Sequence, residues 1–234
     1  MSESKNVSLH RHPHPHREFA RRWRHYAAQQ EFRVSILTSV LLFIASVVVS
    51  LFAIQYATER ASNSVTDIFL SNVPVVDVDG LFVYGTLSLI VFIALLLIAH
   101  PKRIPFALHG MTLLFFIRSA FISMTHIGPF PLQTADTGWN ALVNHFIFSS
   151  DLFFSGHTAV PFLMALMFWQ EKNLRYIFLA WSVFMGVVVL LGHLHYSIDV
   201  VAAFFITYSI FHMAQWLFPR DFKLFNSDLL ASAI

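Results

Sequence analysis

Three side chains suited to phosphoryl chemistry stand at the ends of long apolar stretches: His157, His195 and Asp199. His157 lies in Ser155-Gly156-His157-Thr158, where an aromatic run passes into an apolar segment. His195 and Asp199 lie four apart in His195-Tyr196-Ser197-Ile198-Asp199, so on a helix they share a face and can touch. An imidazole that attacks phosphorus forms a phosphohistidine and divides one difficult displacement into two easier ones. Asp199 can accept the N–H of the other ring nitrogen, fixing the tautomer as a carboxylate does in a serine triad. His157 can then protonate the departing alkoxide, because histidine changes charge near working pH. Ser155 and Gly156, at the start of the following helix, offer backbone N–H groups to a phosphate oxygen. The competing reading of His195 with Asp199 is a helix-capping hydrogen bond at a membrane interface. His193, in Gly192-His193-Leu194-His195, falls off the His195 face and reads as an interfacial or supporting histidine.

These groups need a scaffold, and the composition says which solvent it faces. The 234 residues are 56% hydrophobic and 12% charged, too apolar for an ordinary soluble domain, so the expectation is an all-α integral membrane protein. The net charge of +2 raises the question of nucleic acid, but the basic residues do not form one binding face and no nucleic-acid partner is expected. Cysteine is absent, which excludes disulfides and thiolate metal sites.

Residues 1–33 read as a basic, His-rich cytoplasmic tail. The cluster from His10 to His16 has the residue type for chelation, but Pro13 and Pro15 deny it a fixed helical spacing, and no metal site or cofactor is expected. Arg21, Arg22 and Arg24 are placed to hold the tail against anionic headgroups. A catalytic membrane domain over 34–218 follows, with a short cytoplasmic tail over 219–234. Within it, Val34 to Ala57 is long enough to cross a hydrocarbon core that needs roughly 20 residues. Further spans are expected over Leu81 to Ala99, Pro105 to Met124, Gly156 to Gln170, Leu174 to Leu191 and Ile198 to Phe218, with the fourth short for its task. Thr58 to Gly80 is an acidic loop, and His126 to Ser150, with Gly128, Pro129, Pro131 and Gly138, is another.

Charge sets the expected orientation. In this six-span arrangement Lys5, the arginines up to Arg33, Lys102, Arg103, Lys172, Arg175, Arg220 and Lys223 fall on one side, with Arg60 opposite and Arg118 inside a span. Such asymmetry marks the cytoplasmic side, so both termini are expected there and the histidines on the extracytoplasmic face. Arg118, costly within a span, is expected to bind phosphate at the catalytic level; the alternative is a structural pair with an acidic side chain.

The motifs Phe154-Ser155-Gly156-His157-Thr158 and His195-Tyr196-Ser197-Ile198-Asp199-Val200-Val201-Ala202 resemble the two signatures of the sphingomyelin synthase family, a branch of the type 2 phosphatidic acid phosphatase (PAP2) superfamily. Asp151 resembles the acidic residue that precedes the first signature, and Arg118 with Thr125 and Pro129 resembles a third-span motif. The resemblance covers roughly 34–218. It implies a metal-independent six-span enzyme of PAP2-like architecture that moves a phospho-headgroup from a glycerophospholipid to a lipid alcohol. It further implies His195 as nucleophile, Asp199 as its activator and His157 as the acid, with Arg118, Asp151, Ser155, Gly156 and Tyr196 as substrate-binding candidates. Val189 and Met111 stand where the broader superfamily usually has arginine and lysine, and these departures favour the synthase-like branch over an ordinary lipid phosphatase.

The expected partners are a phospholipid, a lipid alcohol such as ceramide, and the bilayer itself; assembly into a homo-oligomer is left open. A phospholipase C-like enzyme or lipid phosphate phosphatase would use the same three residues, and a scaffold or lipid carrier keeping only the fold is the non-enzymatic alternative.

Overall fold

In the computed structural model, which describes residues 15–133 and 152–227, the chain is a helical bundle. The helices are α1 (Pro15–Ala27), α2 (Gln30–Glu59), α3 (Asp79–Ala99), α4 (Ile104–Met124), α5 (Gly156–Met167), α6 (Lys172–Leu191), α7 (Ser197–Leu217) and α8 (Pro219–Phe225). A 3₁₀ turn, Pro101–Arg103, leads into α4. Among the described residues five segments are long and apolar enough to cross a membrane: α2, α3, α4 with its 3₁₀ lead-in, α6 and α7. Their apolar outward residues, such as Leu41, Ile44, Phe52, Leu95 and Phe205, remain exposed. That is expected where the surrounding solvent is lipid rather than water.

The fourth expected span is shorter than anticipated. α5 ends at Met167, and its 12 residues rise about 18 Å, less than a hydrocarbon core. It is short because it is central: Ala159, Leu163, Met164 and Ala165 are fully buried among the neighbouring helices. A helix covered by protein does not need to match the bilayer thickness by itself.

Within the expected tail, residues 15–27 form a helix. Pro15 suits its first turn, and Phe19, Trp23 and Tyr26 recur at helical spacing. Trp23 Nε1 donates to the Ile98 carbonyl at 3.0 Å, tying α1 to the end of α3. Residues 1–14, including most of the histidine cluster, and residues 228–234 lie outside the described residues.

α2 approaches α4 along a stripe of small buried residues, Ser46, Ser50, Ala53 and Ala57. Small side chains let membrane helices pack closely where no hydrophobic force drives them together. The hydroxyl of Ser46 is satisfied within its own helix by the Phe43 carbonyl at 2.7 Å.

The connections sort into two faces. At one, the α2–α3 loop meets the α4–α5 loop: Ser62 N donates to His126 O at 2.8 Å and Gly128 N to Asn63 O at 3.1 Å. At the other, Arg103 pairs with Glu171 and Lys102 Nζ donates to Ser227 Oγ at 2.9 Å. The first face holds the starts of α5 and α7, and so the candidate chemistry; the second holds Lys102, Arg103, Lys172, Arg175, Arg220 and Lys223.

Candidate active site

His195 lies just before α7 and Asp199 in its first turn, and the fold brings them into contact: His195 Nδ1 lies 3.2 Å from Asp199 Oδ2. The same carboxylate oxygen accepts the backbone N–H of Tyr196 at 3.0 Å. Asp199 therefore caps the helix start and meets the imidazole with one oxygen. Asp199 is fully buried and His195 is 4% exposed. With Nδ1 engaged, Nε2 is the nitrogen left to attack an electrophile.

His157 enters from α5. Its ring centroid lies 6.3 Å from that of His195, with the planes inclined at 54°. One phosphoryl group between the rings can contact both. Phe82, from α3, packs against His157 with its ring centroid at 4.5 Å. An apolar ring there shields the imidazole, a contribution that one phenylalanine among 26 could not announce in sequence.

Arg118 projects from α4, six residues before its end, and is 6% exposed. Its Nε donates to the Phe154 carbonyl at 3.1 Å, and a Cβ built on Gly156 would sit 3.4 Å from that nitrogen. The guanidinium thus lies across the first turn of α5, beside His157. The chain it grips is strained: Phe153 and Phe154 have φ of 110° and 68°, a region that L side chains rarely adopt. Arg118 contributes to holding that turn, so its positive charge and the backbone N–H groups of α5 converge on one place.

Ser155 is buried as the N-cap of α5, with the Thr158 hydroxyl 3.4 Å from its own. Tyr196 is engaged with the loops. Its ring is 1% exposed, and its hydroxyl donates to Gly128 O at 2.8 Å and accepts from Val65 N at 3.2 Å. Asp151 lies outside the described residues.

Asp67 was legible only as part of an acidic loop. It accepts from Ser197 N and Ser197 Oγ, both at 2.7 Å, and from Phe69 N and Leu70 N at 2.8 and 3.0 Å. Burial pushes its carboxyl up, but these hydrogen bonds outweigh that and hold it below the usual carboxylate range. Its charge secures the start of α7 two residues from His195.

The pairing of two histidines across the starts of α5 and α7, with a carboxylate behind one of them, can be set beside known families. Residues 149–216 match the family described as PAP2 superfamily C-terminal. The match supports PAP2 superfamily membership, and it spans the stretch that carries both histidines and Asp199. With the all-helical architecture it supports an enzyme of the phosphatase and phosphotransferase kind acting on lipid phosphates, within a multi-pass membrane protein. No curated protein and no solved structure matches the chain.

Proposed function

We propose that the protein is a membrane lipid phosphotransferase that moves a phospho-headgroup, of the phosphocholine kind, from a glycerophospholipid to a lipid alcohol such as ceramide. The observation that carries the reading is the 6.3 Å approach of the His157 ring to a His195 ring already held by Asp199. In the first half-reaction His195 Nε2 forms a bond to phosphorus as the bond from phosphorus to the diacylglycerol oxygen breaks. His157 gives that oxygen its proton. In the second half-reaction His157 takes the proton of the incoming alcohol, whose oxygen bonds to phosphorus as the N–P bond breaks. Asp199 stabilises the imidazolium character that develops on His195. Arg118 and the start of α5 face the negative charge on the phosphoryl oxygens. No step in this scheme calls for a metal.

A lipid substrate suits the surroundings. A groove of about 580 Å³ between α3 and α6, lined by Leu81, Tyr84, Trp181 and Phe184, has room for acyl chain. The charge asymmetry of the helix ends supports an extracytoplasmic location for the histidines.

Hydrolysis would use the same residues, with water replacing the alcohol. Purified protein given labelled phosphatidylcholine with and without ceramide, beside a His195→Ala variant, tests the reading. Labelled phosphosphingolipid that depends on ceramide and on His195 is the expected result. Release of water-soluble phosphocholine irrespective of ceramide identifies a hydrolase, and equal signals from both proteins overturn the enzymatic reading.

A further inference from the structure

His193 is absent from the chemistry above, yet the fold places it with care. It ends α6 in a left-handed conformation, φ 55°, at the position after the Gly192 cap. Leu194 N donates to Val189 O at 2.9 Å and His193 N to Leu190 O at 3.1 Å, the paired bonds of a helix-terminating Schellman turn. Glycine normally fills the left-handed place in that turn because a side chain strains it. A histidine there implies that the side chain repays the strain.

The ring is 2% exposed, and both of its nitrogens face backbone carbonyl oxygens. Nδ1 lies 2.9 Å from Leu132 O in the α4–α5 loop, and Nε2 lies 3.1 Å from Val73 O in the α2–α3 loop. A neutral imidazole has one N–H and one lone pair, so it can donate to one of these carbonyls while presenting its lone pair to the other. An imidazolium donates to both. Gln133 Nε2 also donates to the His193 carbonyl at 3.2 Å, and the Phe130 ring packs edge-on against the imidazole with centroids 5.2 Å apart.

We propose that His193 is held as an imidazolium whose two N–H groups clasp the α2–α3 and α4–α5 loops together beside His195, so that this face loosens as that proton is lost. The clasp makes His193 a positioning residue rather than a catalytic one. The loops it joins are those that reach Tyr196 and Ser197 through Val65, Asp67 and Gly128.

The other ionisable groups on the packed segments have engagements of their own. Asp67 holds Ser197, Phe69 and Leu70; Asp77 Oδ1 accepts from Asp79 N; His195 meets Asp199; Tyr196 bonds to Gly128 and Val65. At the end of α2, Glu59 accepts from Gln55, while the Arg60 guanidinium and the His126 ring both lie against Tyr56. Among the described residues no carboxylate pairs with His193. The Leu132 and Val73 carbonyl dipoles satisfy its charge, and histidine as a residue type changes charge between about pH 5 and 8.

Hydrogen exchange across that pH range, corrected for the intrinsic pH dependence of amide exchange, tests the clasp on the full chain and needs no substrate. Its outcome therefore stands apart from whether the protein transfers headgroups. Protection of amides in 62–76 and 126–133 should fall about tenfold or more as pH rises, the size expected of one charge-assisted hydrogen bond. In His193→Gln the protection should be low throughout and independent of pH. His193→Gly guards against misfolding, because glycine suits the left-handed backbone; it should keep the helix end intact and still lack the pH step. His126→Gln should retain the step. A flat wild-type profile, a step that survives in both His193 variants, or a step lost in His126→Gln overturns the proposal.

Discussion

The backbone N–H of Ser155 donates to the carbonyl oxygen of Asp199 at 3.1 Å. This one bond joins the start of α5 to the first turn of α7, and so registers the helix carrying His157 against the helix that orients His195. A further close approach braces the arrangement: a Cβ on Gly186 of α6 would lie 3.1 Å from Val200 Cγ1 and 3.5 Å from Thr158 Oγ1. The distance between the two imidazoles is therefore a property of the packed bundle rather than of a mobile side chain.

Because Asp199 Oδ2 serves both His195 and the helix start, Asp199→Asn should separate two effects. An amide can still accept from Tyr196 N, so thermal stability should fall by about 1 kcal/mol, as for other weakened N-caps. Turnover should fall far more, by about 10²- to 10⁴-fold, since the amide presents the wrong partner to Nδ1. Denaturation curves and kcat measured on the same preparation check this.

Arg118 makes a directional bond through Nε, which lysine has no group to replace. Arg118→Lys should keep the charge and lose the grip on the Phe154 carbonyl, with kcat/KM down at least about tenfold. Activity near that of the wild type would show that charge alone suffices.

Gly128 has no room for a side chain: a Cβ there would stand 2.1 Å from the Ser62 carbonyl oxygen. Gly128→Ala must push the two loops apart at the point where Gly128 O accepts from Tyr196. We expect a loss of about 1 to 3 kcal/mol, as for other overpacked sites, with faster amide exchange in 62–66. Unchanged exchange there would show that the loops do not depend on this contact.

Asp67 gives a pH signature of opposite sign to His193. Its carboxyl is held below the usual range, so its contribution is present above the ordinary value of about 3.9 and is lost as pH falls through the lower folded value. Protection of the Ser197, Phe69 and Leu70 amides should therefore drop under acid. In Asp67→Asn that acid step should vanish, with some protection lost already at neutral pH.

Much of this was legible in the sequence. The long spans announce themselves by length and apolarity, and the four-residue spacing of His195 and Asp199 fixes their contact once a helix starts between them. Arg118 could be placed near the level of His157 by counting residues from a helix end. What resisted reading depends on tertiary placement. The short α5 follows from its central position, which hydropathy does not report. The helix over residues 15–27 was masked by its arginines. Tyr196 sits among the signature residues but spends its hydroxyl on Gly128 and Val65, and Asp67 reaches Ser197 across 130 positions of sequence. No local pattern encodes such loop contacts.

The central claim is a covalent bond between His195 and phosphorus. The direct test is rapid quenching into base during turnover of a lipid substrate labelled in its phosphate, followed by peptide mapping. The account predicts an acid-labile, base-stable label on the peptide containing His195, absent in His195→Asn. Label on His157, or undiminished turnover by His195→Asn, would contradict it.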